Sequence, residues 1–114
     1  MRFVDATIFI KWMTSTKKRL SLEAAIAGYI LKRIQDGEVA ITSSIVKDEV
    51  LIWLSRYRAG KLHNFLRALR MMPSLQIVNP SLSDEEFAIA NYGKFELGIS
   101  DLINVAIMRR MNIN

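Results

Sequence analysis

Three carboxylates stand where the chain otherwise reads as protein core. Asp5 interrupts the apolar run "FVDATIFI", and Glu49 sits in "SSIVKDEVLIWL" among the helical neighbours Ile45, Val46, Val50 and Trp53. Asp101 follows Ser100 in "GISDLINVAIM", with Asn104 one helical turn further on. A carboxylate withdrawn from water is costly unless it has a cation, a hydrogen-bonding task or an open cleft. On a helix, Asp101 and Asn104 project to one side and offer two oxygen-bearing side chains. Each acid also has an ordinary structural reading: a first-turn Asp101, for instance, complements the helix dipole for a few tenths to about 1 kcal/mol. Brought together, three acids repel one another, so they call for a divalent cation, and without it at least one titrates upward.

The composition narrows what such a cation site can be. The chain has no cysteine and a single histidine, His63, so thiolate and multi-histidine zinc sites are excluded and any metal ligands must be oxygens. Mg²⁺ and Mn²⁺ accept such ligands and keep several waters. With 114 residues, 51% hydrophobic and 24% charged, the sequence suits one domain over 1–114 with a real core. No apolar run approaches the roughly 20 residues that span a bilayer, and the N-terminus lacks the pattern of a signal peptide. A cytoplasmic, membrane-free protein is expected. Residues 1–71 carry 13 Lys or Arg against 6 Asp or Glu, and residues 72–114 carry 3 against 5. That uneven positive charge suits attraction of a polyanion, or simply a well-solvated basic surface.

The elements that must position the acids follow from pattern and punctuation. Residues 2–5 read as a short buried strand with a helical turn behind it as far as Trp12, and "TSTKKR" (14–19) as a polar loop. Ser21 caps an expected helix over 22–35, Asp36-Gly37 is a turn, and "VAIT" (39–42) is a second strand. Ser43 or Ser44 opens a long helix to about Ala59 with Gly60 as its stop; a further helix covers 61–71, and "LQIV" (75–78) is a third strand. Ser83-Asp-Glu-Glu86 predicts a capping box for a helix to about Asn91, and Ser100 caps a last helix to about Met111. Short apolar strands alternating with helices imply an α/β domain around a parallel sheet. Asp5 then lies outside the carboxyl end of a strand, where open parallel sheets bind ligands.

In order and spacing, "FVDATIFI", "ITSSIVKDEVLIWL" and "SLSDEEFAIANYGKFELGISDLINVAIM" resemble the PIN domain, the nuclease fold of VapC-type toxins. The resemblance implies a three-layer fold with a parallel sheet flanked by helices. It also implies an Asp after the first strand, a Glu on the helix after the second, and an Asp opening a late helix, which match Asp5, Glu49 and Asp101. These three become the expected metal ligands and catalytic residues for Mg²⁺- or Mn²⁺-dependent hydrolysis of RNA, with a cognate antitoxin as partner. Thr7 and Ser43 are candidates for lining the site, although helix capping explains both, and Asn104 joins them through its spacing from Asp101. PIN domains usually continue into a strand ending in a further Asp and then an edge strand. The C-terminal strands are absent from "MRRMNIN", so a chain that continues with another Asp, or a partner covering Phe3, Val4, Val105 and Met108, is expected.

Arg56, Arg58 and Lys61 form the expected contact to RNA or to a partner, with Arg67 and Arg70 beyond them. Leu51, Ile52, Leu54, Phe65, Leu66 and Leu69 exceed what one small core needs and suggest a homodimer surface. A catalytically inactive PIN-like module that binds RNA or protein is the alternative reading. Trp53 is expected in the core, and His63 on the surface.

Overall fold

The computed structural model describes residues 1–16, 18 and 20–113. Strand β1 (Arg2–Phe3) leads into helix α1 (Ala6–Met13) and helix α2 (Leu22–Gln35). Strand β2 (Ala40–Ser43) passes directly into α3 (Ser44–Tyr57), and a 3₁₀ turn at Ala59–Lys61 joins it to α4 (Leu62–Arg70). Strand β3 (Leu75–Val78), α5 (Leu82–Asn91) and α6 (Ile99–Arg110) complete the order.

The three strands form a parallel sheet in the order β1-β2-β3, with Phe3 beside Ile41 and Ile41 beside Gln76. Successive residues of a strand face opposite sides, and β2 uses this to build two half-cores. Ala40 joins Val4, Phe9, Ile34, Val46, Val50, Leu54, Phe65, Met72 and Leu75 on the side of α1 to α4. Ile41 joins Val78, Ile107 and Ile113 on the side of α6, against which α5 packs. Central β2 is therefore buried along its whole length, as a parallel strand covered on both faces must be. The parallel sheet with helices on both faces agrees with the fold class expected from sequence.

Several boundaries differ from expectation for physical reasons. β1 ends at Phe3, because Asp5 turns out to cap α1 instead of ending a strand. α3 ends at Tyr57, and Gly60 lies within the 3₁₀ turn. The capping box of α5 is Ser81 with Asp84, not Ser83 with Glu86: the Ser81 hydroxyl accepts from the Asp84 N–H and the Asp84 carboxylate accepts from the Ser81 N–H. α6 begins after Gly98, which offers no side-chain cap, so Ser100 is inside the helix. The expected polar loop over 14–19 includes Lys17 and Arg19, which lie outside the described residues, as does Asn114. Val4 is buried, and Phe3, Val105 and Met108 are only partly exposed, so the flank of β1 is less bare than expected. Ile113 contributes by folding back onto Ile107 and Ile41.

Candidate active site

Two side-chain hydrogen bonds, each joining distant parts of the chain, set the ground plan of the site. At the carboxyl end of β2, the buried Thr42 hydroxyl donates to the Val4 carbonyl at 2.7 Å, which fixes the end of β1 and hence the position of Asp5. The neighbouring Ser43 hydroxyl accepts from the Val46 N–H at 3.0 Å, capping α3, and donates to Asn104 Oδ1 at 2.6 Å. The Ser43–Asn104 bond thus ties the second turn of α6 to the N-terminus of α3, placing Asp101 relative to Glu49.

Asp5 is the N-cap of α1, its Oδ1 accepting from the Ile8 N–H at 3.3 Å and from the Thr7 hydroxyl at 2.6 Å. Oδ2 of this exposed residue has no hydrogen-bond partner among the described residues. Thr7 therefore serves Asp5, and it is Asp5 rather than Thr7 that caps the helix. Glu49 is half-buried on α3. Its pKa is raised above the ordinary glutamate value of 4.5, first by burial, then by the negative charges of Asp101 and Asp5. Segments separated by more than forty residues thus bring Asp5 and Asp101 within electrostatic reach of Glu49.

Among the described residues, no group of three acidic or histidine side chains converges tightly enough to hold a metal directly. The donor set nonetheless fits a hard divalent cation: three carboxylates, one with an oxygen that has no partner among the described residues and one destabilised as an anion by burial and by its two acidic neighbours. Such a cation needs only one or two carboxylates and completes its shell with water. Ser43 is fully buried and Asn104 nearly so, so both are interior residues bonded to each other rather than part of the site's surface. Arg56, Arg58 and Lys61 are all exposed; Arg58 donates to the neighbouring Tyr57 carbonyl at 2.7 Å.

The Thr42–Val4 bond was not foreseen from sequence, because nothing local distinguishes Thr42 from any other strand threonine. A shallow recess of about 270 Å³ adjoins Glu49 and is lined by Ile52, Trp53, Arg56 and Tyr57. Its sequence signal is an aromatic pair four residues apart, one turn beyond Glu49.

The family model of the PIN domain matches residues 2–114. The chain belongs to the PIN domain family. Among solved structures it is similar to the Mycobacterium tuberculosis VapC20, described as a sarcin-ricin loop cleaving toxin, with a TM-score of 0.74 and 20% identity. That alignment covers 99% of this chain and 85% of the other. It is similar also to a toxin–antitoxin complex from Klebsiella pneumoniae, with a TM-score of 0.66, 19% identity, and coverage of 99% and 81%. At these identities the likeness establishes a shared fold. No curated protein sequence gives a significant match.

Proposed function

We propose that this PIN domain is a Mg²⁺- or Mn²⁺-dependent endoribonuclease that hydrolyses RNA phosphodiester bonds, acting in the cytoplasm as the toxin of a toxin–antitoxin pair. The observation that carries this reading is that Asp5, just after β1, and Asp101, on α6, both act electrostatically on the half-buried Glu49 of α3, whose pKa is raised first by burial and then by those two charges. The VapC toxin and the toxin–antitoxin complex that share the fold support the substrate class and the antitoxin partner. Asp5, Glu49 and Asp101 would hold the cation, which supplies Lewis-acid activation of the phosphodiester and of the attacking water. Thr7 orients Asp5 through its hydroxyl, and the Ser43–Asn104 bond holds α6 against α3 so that Asp101 keeps its place. No described helix is long and apolar enough to cross a membrane.

The homodimer surface expected on α3 and α4 is reduced, because Leu54 and Phe65 are core and Leu51 and Leu69 are half-buried. Exposed apolar side chains instead gather on α5 and the segment after it, at Ile89, Tyr92, Phe95, Leu97 and Ile99, and these support a homodimer. The looseness of the acid cluster is what favours the second reading, an inactive RNA- or protein-binding module.

An RNA cleavage assay separates the two readings. The parent protein is expected to cut RNA with Mg²⁺ or Mn²⁺ and not with chelator, and Asp5→Asn to lose the activity while remaining folded. At a hundredfold excess over its dissociation constant, the cation should stabilise the parent by about 2.7 kcal/mol and the variant by less. Equal cleavage by parent and variant refutes the role of Asp5; absence of cleavage by the parent leaves the binding-module reading.

A further inference from the structure

We propose that the recess on α3 beside Glu49 is a binding site for one unpaired nucleobase of the RNA strand, next to the phosphate being cut. This rests on the nuclease reading above and adds to it a place for the substrate's base. Glu49 belongs both to the acid cluster and to the recess wall, so an occupant of the recess sits alongside whatever the acids act upon. The volume of about 270 Å³ is open to solvent and of mixed character: an acid, a guanidinium, an aliphatic side chain and two aromatic rings. A lipid chain or an apolar helix would leave the charged groups desolvated and unpaired. A nucleobase has the matching character, with an apolar face and polar edges, and it brings a phosphate with it.

The aromatic pair is arranged for stacking. Trp53 is half-buried against the core and meets Tyr57 with ring centroids 5.0 Å apart at an interplanar angle of 46°. The half-buried ring braces the exposed one: Tyr57 is 58% exposed, and Ile52, also in the recess, is 54% exposed. Both side chains keep more than half of their surface open to an occupant of the recess. Arg56 has no ion-pair partner among the described residues, so its guanidinium is available to a phosphate or to the face of a base. Stacking on a braced aromatic beside a basic group is the usual means of holding single strands, and it tolerates any base.

The test compares two ligands in the Asp5→Asn background, so that binding is read without cleavage: a labelled uridine decamer and a ribose-phosphate chain of the same length without bases. Tyr57→Ala is expected to weaken decamer binding by about 5- to 150-fold, the range found for losing one stacked base. The same substitution should leave binding of the abasic chain unchanged, and Tyr57→Phe should retain decamer affinity. The proposal is overturned if both chains bind equally well before substitution, or if Tyr57→Ala weakens both equally. It is also overturned if sedimentation shows that Tyr57→Ala turns a dimer into a monomer, because the face is then covered by a second copy of the chain. Failure of the nuclease reading appears elsewhere, as absence of cleavage by the parent protein.

Discussion

Ser43 shows how much one side chain can carry in a domain of this size. Its hydroxyl accepts from the α3 backbone and donates to Asn104 across the interior, and the residue has no exposed surface. Replacing it by alanine removes an N-cap worth about 0.5–2 kcal/mol. It also leaves a buried amide oxygen without a donor, which costs about 1–3 kcal/mol more. Ser43→Ala should therefore destabilise by about 2–4 kcal/mol in denaturant unfolding. Ser21→Ala should lose only about 1 kcal/mol, because Ser21 is an exposed cap with one partner, the Ala24 N–H. Similar losses at the two positions would mean that the Asn104 bond contributes nothing. The same bond explains why Asn104 is an interior residue: its spacing from Asp101 was legible in the sequence, but the donor that claims it lies 61 residues away.

At the scale of elements, what could be read from sequence was whatever the chain decides locally. Helix α2 runs between Ser21 and Asp36 as its cap and turn predict, and β3 lies where its apolar run placed it. The inward face of Glu49 was legible because its neighbours at helical spacing are apolar. The start of α5 lies two residues earlier than the Ser83 cap predicts, because Ser81 and Asp84, three residues apart, form the capping box, and Asp84 has a tertiary partner besides. The Arg110 guanidinium from the end of α6 donates to its carboxylate at 2.8 Å and holds its pKa below the ordinary range. No local pattern reveals that pairing. The packing of α1 on α2 is another such case. A Cβ on Gly28 would stand 2.3 Å from the Trp12 ring, so the glycine is there to admit the indole. Gly28→Ala gains about 0.5–1 kcal/mol of helix propensity but must displace the ring, and overpacking costs about 1–3 kcal/mol. We expect a net loss of about 1 kcal/mol in the parent. In a Trp12→Ala background the same change should be stabilising. A stabilising effect in both backgrounds would show that the ring moves aside freely.

At the scale of the whole molecule, the acids belong to a chain with a net positive charge. Carboxylates alone repel a phosphate backbone, and on the proposed nuclease reading a net charge of +5, with the excess in residues 1–71, would offset that repulsion. Arg56 is exposed on α3, the helix that carries Glu49, Arg58 at its C-cap and Lys61 in the turn that follows, and no acid pairs with them among the described residues. Unpaired cations near an anion-binding surface displace counterions when the ligand arrives, and each phosphate neutralised on a single strand contributes about 0.7 to the slope of log affinity against log salt. Changing all three residues to Gln should therefore flatten that slope by up to about 2 and weaken binding at low salt, with little effect on which sequence is preferred. Charge removal and loss of stacking are separable with Arg58 and Lys61 alone, which lie outside the recess: changing those two should cost the abasic chain and the uridine decamer alike. An unchanged salt slope would mean that these cations face a protein partner or solvent, and that the polyanion reaches the acids from another side.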